Sequence, residues 1–300
     1  MVKGAVAAIG NFDGVHLGHQ RLLAETAAFA ADKGAPTGVV VFDPHPRRFF
    51  RPNDPPFLLT TPEKRNELLR AHGASEVFSL RFDTTLAAMT PDEFVDEVLR
   101  DRLHLAGVVT GTEFRFGKGR TGDAATLKRR CEGAGIAVKA IAPKPEAPGG
   151  AKISSSAIRA ALQKGDAKEA AAMLGRPWSV DGAVLAGEKR GRLLGFPTAN
   201  MALGELVEPR RGVYMVEATA GGKSYGGVAN FGRRPTVGGT APLLETHLFD
   251  FTGDLYGARL EIRFLDFLRD ERKFDGLEAL KAQIAADAAE AKRRLTLFRK

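Results

Sequence analysis

Ala5-Val6-Ala7-Ala8-Ile9-Gly10-Asn11-Phe12-Asp13-Gly14-Val15-His16-Leu17-Gly18-His19 decides how the first half of this chain reads. An apolar, strand-like run from Ala5 to Ile9 meets a helix-like run beginning near Gly18 through a glycine-rich turn. Glycines let backbone N–H groups come close to an anion, and a helix N-terminus adds partial positive charge. Two imidazoles three residues apart can converge on phosphate oxygens. In a βα unit such a junction lies outside the carboxyl end of the strand, where open α/β sheets hold ligands. The stretch reads as a nucleotide site; the plainer reading is a glycine-rich turn with two surface histidines.

The same alternation continues outward. Strand-like runs at Ala5–Ile9, Thr37–Phe42, Glu76–Leu80, Val108–Thr110 and Ile136–Ile141 alternate with helix-like segments at His19–Lys33, Pro62–His72, Pro91–Leu103 and Asp123–Glu132. Thr before an N1 proline opens the second and third of these helices. A Rossmann-like α/β domain follows, with a parallel sheet covered by helices. After the alanine-rich stretch Asp166–Leu174, Gly175-Arg176-Pro177-Trp178 breaks the pattern, which places a domain boundary between residues 175 and 176. Beyond it come short alternating segments, Val180–Leu185, Val213–Thr219, Ser224–Val228, Leu243–Phe249 and Ala258–Phe264, separated by glycine turns. These predict a compact β-barrel, and the apolar spacing from Asp275 to Leu297 predicts one amphipathic helix packed on it.

Composition bounds the function. The 300 residues, 44% hydrophobic and 27% charged, describe a globular protein of one large or two ordinary domains. No apolar run is long enough for a signal peptide or a membrane span, so the expected compartment is the cytoplasm and no membrane partner is expected. Cys131 is the single cysteine, which leaves no material for a disulfide framework or a zinc cluster and reads as helix packing. The net charge of +8 is scattered among acids, without an RNP, zinc-finger or helix-turn-helix signature. Anionic small substrates explain it as well as nucleic acid would, and nucleic acid is not expected as a partner. Oligomeric state has no signature.

Three further segments of the first domain carry chemistry. Ile153-Ser154-Ser155-Ser156-Ala157-Ile158-Arg159 places hydroxyls at a helix start with Arg159 one turn on, either a phosphate clamp or plain capping. Phe42-Asp43-Pro44-His45-Pro46-Arg47-Arg48-Phe49-Phe50 and Gly111-Thr112-Glu113-Phe114-Arg115-Phe116-Gly117-Lys118-Gly119-Arg120 lie where strands end. Both combine aromatic rings with cations, as a flat aromatic ligand bearing phosphate requires. The alternative puts the rings in the core and the cations in solvent.

With these motifs in hand, the chain resembles the bacterial bifunctional riboflavin kinase/FMN adenylyltransferase family, also called FAD synthetases, over nearly its whole length. The glycine-histidine stretch, the Phe-x-Pro-His-Pro segment, Phe-Arg-Phe-Gly and Ile-Ser-Ser-Ser-x-Ile-Arg occur in the family's order. The second domain is similar to the family's kinase barrel through Gly195-Phe196-Pro197-Thr198-Ala199-Asn200, Gly212-Val213-Tyr214, Asn230-Phe231-Gly232-Arg233-Arg234-Pro235-Thr236, Glu245-Thr246-His247 and Leu255-Tyr256-Gly257.

The resemblance implies ATP-dependent phosphorylation of riboflavin to FMN in residues 176–300, then adenylylation of FMN to FAD with release of pyrophosphate in residues 1–175. Riboflavin, FMN and ATP are the implied partners, with Mg²⁺ as cofactor. In the kinase, Thr198 and Asn200 hold metal or phosphate, Glu245 deprotonates the attacking hydroxyl, and Gly187 in the basic loop Gly187–Arg192 covers the nucleotide phosphates. Arg269 is a flavin-side contact. In adenylyl transfer, His16 and His19 stabilise the phosphates, while Gly10, Asn11, Phe12, Asp13 and Gly18 contact ATP through the turn. Ser155, Ser156 and Arg159 grip the triphosphate; His45, Pro46, Phe50, Glu113 and Phe116 form the flavin side.

Two positions depart from the family pattern. Glu113 stands where Asp or Asn is common, and Ser156 stands where Thr is. Both are expected to tune activity. Two other readings stay open: a kinase whose N-terminal module only binds nucleotide, and a basic RNA-binding protein. Product analysis and salt-dependent RNA binding separate them.

Overall fold

The structure is a computed structural model describing residues 3–142, 153–185, 195–236 and 239–298. The chain falls into two compact units, one of Met1–Pro55 and Pro62–Ile153, the other of Pro56–Thr61 and Ser154–Lys300.

In the first unit, β1 (Val6–Ile9), β2 (Thr37–Asp43), β3 (Glu76–Arg81), β4 (Gly107–Gly111) and β5 (Ala137–Ile141) form a parallel sheet in the order β3-β2-β1-β4-β5. Each strand lies within one or two residues of its sequence-based range. The near-continuous apolar runs are explained by burial on both faces. Ala8, Val39 and Val41 pack under α1 (Leu17–Ala31) and α3 (Pro62–Ala71), which contribute Leu23, Leu68 and Leu69. Ala7, Ile9, Val40 and Val108 face the other way, onto Phe94, Val98, Leu99, Leu127 and Cys131. Cys131 is thus core, and burial together with nearby Asp96 pushes its thiol up to about 12. The strand order reverses between β1 and β4, which makes the carboxyl ends of those two strands the topological switch point.

Two local features depart from the sequence reading. α2 (Pro46–Phe50) and α4 (Thr84–Ala88) are short helices with no predicted counterpart. The expected helix from Pro91 is α5 (Pro91–Glu93), opened by a Thr90/Glu93 capping box, which continues as a π-helix over Phe94–Arg102. Apolar spacing registers the buried face but does not separate i→i+4 from i→i+5 bonding.

In the second unit, β6 (Trp178–Ala183), β7 (Ala199–Ala202), β8 (Gly212–Ala220), β9 (Lys223–Thr236), β10 (Gly239–Leu248) and β11 (Arg259–Arg269) form an antiparallel sheet in the order β6-β11-β8-β9-β10-β7. A bridge between Leu185 and Asn200 brings the two ends together, so the barrel is nearly closed. Trp178, Tyr214 and Phe264 fill its interior. The terminal helix, Leu277–Phe298, lays Ala288, Ala291 and Leu295 on Val213, Met215, Val228 and Phe249. At Gly226 an added Cβ would collide with the Leu295 side chain, so glycine is what lets this helix approach.

β9 runs eight residues past the expected Val228. Beyond Phe231 it has left β8 and pairs with β10 alone, so Pro235 sits where the missing N–H breaks no ladder. Two helices, Ser155–Lys164 and Ala167–Leu174, also belong to this unit, tied by the Lys168–Asp266 ion pair and the Arg210 N–H bond to Leu162. Residues 56–61 join it through the Trp178 Nε1–H, which donates to the Leu59 carbonyl at 2.8 Å.

Candidate functional site

The turn after β1 is shaped by strain. Phe12 (φ 53°) and Val15 (φ 42°) both adopt left-handed backbone, and each such residue costs about 1–3 kcal/mol unless its surroundings hold it. Phe12 is fully buried and Asp13 nearly so; the Val15 N–H donates to the Phe12 carbonyl. Helix α1 therefore starts at Leu17 with His16 as its N-cap, two residues earlier than the sequence indicates. Capping preferences favour Ser, Thr, Asp and Asn, and an imidazole in that place is not read from them.

His16 Nδ1 accepts the His19 backbone N–H at 3.3 Å, which in the neutral ring puts the proton on Nε2, a donor suited to an anion. The two rings stack with centroids 3.6 Å apart. An added Cβ at Gly18 would lie 3.1 Å from the His16 ring, so glycine there allows the fit. His19 Nδ1 is buried without a partner among the described residues. Burial first, and His16 second, hold its pKa well below the usual 6.5. The structure thus brings His16 and His19 together at a helix N-terminus in the first βα turn.

The flavin-side segments divide. His45 caps α2, accepting the Arg47 N–H, and Pro46 occupies its first turn. Phe50 is 64% exposed and sits edge-on to Phe49 and Phe82. Arg47 pairs with Asp54, and Arg48 donates to the Pro52 and Asp54 carbonyls. Glu113 is exposed, whereas Phe116 is a core residue stacked on Phe114 and packed against Phe94. In the serine segment, capping falls to Ser154, which accepts the Ala157 N–H at 3.1 Å. Ser155 and Ser156 occupy the first turn, and Arg159 donates to the Phe57 carbonyl while its guanidinium lies over the Phe57 ring.

In the barrel, β7 begins at Ala199, so half of Pro-Thr-Ala-Asn is strand; from sequence alone the tetrapeptide passes for a turn. Its pairing with β10 sets Asn200 opposite Glu245 and Ala199 opposite Thr246, while Asn230 flanks Glu245 from β9. Thr198, Asn200 and Thr246 line one cavity of about 70 Å³, with Phe251, Asp254 and Tyr256 among its other walls. The buried Asn200 Oδ1 and Thr246 Oγ1 have no partner among the described residues, a costly condition that a bound ligand relieves. Such neutral oxygen donors fit a hard cation carried on phosphate oxygens. Among the described residues no group of three His, Cys, Asp or Glu offers a metal cage.

Thr246 had no assigned role in the sequence reading. Its signal, an unpaired buried hydroxyl, exists only in three dimensions. Gly187 and its loop lie outside the described residues. Arg269 forms a buried ion pair with Asp287 at 2.6 Å and donates to the Asp270 carbonyl, so its guanidinium anchors the terminal helix.

Comparison with known proteins follows the same division. Residues 1–157 match the FAD synthetase family and residues 174–295 the riboflavin kinase family. The bifunctional riboflavin kinase/FMN adenylyltransferase of Pseudomonas fluorescens is 43% identical over 97% of this chain and 93% of its own length. That of Bacillus subtilis (strain 168) is 37% identical over 99% and 94%. Among crystal structures, a Streptococcus pneumoniae protein named as a macrolide-efflux protein aligns with a TM-score of 0.84 at 32% identity, covering 95% of this chain and 92% of that one. The efflux name belongs to that protein; no helix among the described residues here is long and apolar enough to cross a membrane. With both family matches falling in order along one chain, and relatives aligned over nearly all of it, this chain belongs to the bifunctional riboflavin kinase/FMN adenylyltransferase family.

Proposed function

We infer that the protein makes FAD from riboflavin in two ATP-dependent steps. The observation that carries this is the matching of a FAD synthetase and a riboflavin kinase family to successive parts of one chain. In the first step the riboflavin 5′-hydroxyl attacks the γ-phosphorus of ATP, giving FMN and ADP. Glu245, set beside Asn200 on paired strands, accepts the hydroxyl proton. Thr198 and Asn200 would hold Mg²⁺, which when bound neutralises phosphate charge; the orphaned Asn200 oxygen supports that assignment. Gly187 is assigned to the nucleotide phosphates.

In the second step an FMN phosphate oxygen attacks the α-phosphorus of ATP and pyrophosphate leaves, so no protein nucleophile is required. His16 and His19 donate to phosphate oxygens, and Gly10, Asn11, Phe12, Asp13 and Gly18 shape the turn that receives them. Ser155, Ser156 and Arg159 are assigned to nucleotide phosphate. Phe50 supplies an exposed ring to the flavin, with His45, Pro46 and Glu113 around it and Phe116 supporting from the core. We divide the functions at residues 1–175 and 176–300, and place both in the cytoplasm.

Product analysis tests this directly: the protein is incubated with Mg²⁺ and ATP, and with either riboflavin or FMN. FAD from both substrates is expected. FMN accumulating from riboflavin, with added FMN unreacted, would overturn the second step.

A further inference from the structure

We propose that His247 is a positioning residue of the kinase site, fixing Thr198 through the peptide that precedes it. This rests on the reading of Thr198, Asn200 and Glu245 as the phosphorylation machinery. The pairing of β7 with β10 ends at Ala199 and Thr246. Continued one step, the ladder would reach Thr198 and His247, but the preceding residue, Pro197, carries no N–H to extend it. The Pro197 carbonyl is met instead by a side chain: His247 Nδ1 lies 2.9 Å from it.

That carbonyl belongs to the peptide unit joining Pro197 to Thr198. Because the unit is planar, holding its oxygen fixes the Thr198 nitrogen and Cα as well. A carbonyl only accepts, so the ring is in a form protonated on Nδ1. Its orientation is fixed by edge contacts with Phe196 at 5.3 Å and Phe249 at 6.0 Å between ring centroids. His247 lies two residues after Glu245, so strand alternation puts both on one face of β10. One strand therefore carries the group that takes the proton and the group that holds the Thr198 loop.

The test uses the full chain, with the fluorescence of the buried Trp178 reporting that the barrel is folded and FMN-to-FAD conversion reading the other activity. His247→Ala is expected to lower kcat for FMN formation about 10- to 100-fold, the range that follows from a misplaced reacting group. KM for riboflavin should change less than about threefold, the Mg²⁺ concentration for half-maximal rate should rise, and FAD formation from FMN should persist. His247→Asn, whose amide N–H occupies the place of Nδ1–H, should recover most of the lost rate. His247→Gln, with its amide one bond farther out, should not.

An unchanged kcat and metal requirement in His247→Ala, or equal activity of the Asn and Gln variants, would overturn the proposal. If Glu245→Ala and Thr198→Ala leave FMN formation intact, the reading of the site itself fails, a result distinct from failure at His247. Should His247→Ala not fold, the contrast between Asn and Gln decides the matter alone.

Discussion

Burial and the stacked His16 ring depress the His19 pKa, so His19 is neutral at pH 7 and acts as a polar group rather than a cation. The unfolded chain protonates His19 near pH 6.5 while the folded chain resists it, so below that pH the unfolded state binds more protons. The contribution of His19 is therefore full above pH 6.5 and is lost as pH falls beneath it. Urea midpoints at pH 7.5 and 5.5 should differ less for His19→Gln than for the unmodified protein. At the same scale, replacing His16 and His19 together by Ala is expected to reduce FAD formation from FMN at least about 100-fold, the worth of one or two lost transition-state donors. FMN formation from riboflavin, read in the same assay, should be unchanged.

The terminal helix is held on the barrel by two devices of different kind. One is the absence of a side chain at Gly226, which leaves room for Leu295. The other is the Arg269–Asp287 ion pair, with side chains 15% and 8% exposed, supported by the Gln283 amide donating to Asp287. Gly226→Val should cost about 1–3 kcal/mol by overpacking. Asp287→Ala should cost about 3–5 kcal/mol, because it leaves the Arg269 guanidinium buried without its counter-charge. Trp178 is the single tryptophan and is buried inside the barrel, so its fluorescence during urea unfolding reads both changes in this unit. These costs belong to the element: neither residue lines the Thr198 cavity.

For the whole molecule, two chemistries on one chain predict separable losses. Glu245→Ala is expected to abolish FMN formation while FMN still becomes FAD, and the double histidine variant is expected to do the reverse. Mixing the two variants should restore FAD synthesis from riboflavin, since FMN released by one protein is substrate for the other. Chromatography of the mixture against each variant alone checks it. FAD absent from the mixture, with each single activity present, would mean that FMN does not exchange through solution.

Much of this was legible in the residues. The five parallel strands were marked by apolar runs, three of them flanked by glycine, and the change of texture at Gly175 marked where the short barrel strands begin. Both signals are local in sequence, as strand periodicity and turn chemistry are. What could not be read is equally physical. β9 continues through Pro235 because the barrel leaves that side without a partner, and the cap at His16 depends on a strained turn that puts an imbedded ring over Gly18. Phe116 and Phe50 are alike as letters, yet one is core and the other is exposed. Sequence by itself determined the fold class of each half, because that follows from periodicity and turn chemistry, while the two functions and their order were legible only through resemblance to a known family. Only the tertiary structure decided that buried polar atoms of Asn200, Thr246 and His19 have no partner among the described residues, and which side chain takes up the Pro197 carbonyl. Those outcomes depend on which groups the folded strands and turns bring together, and on which they bury.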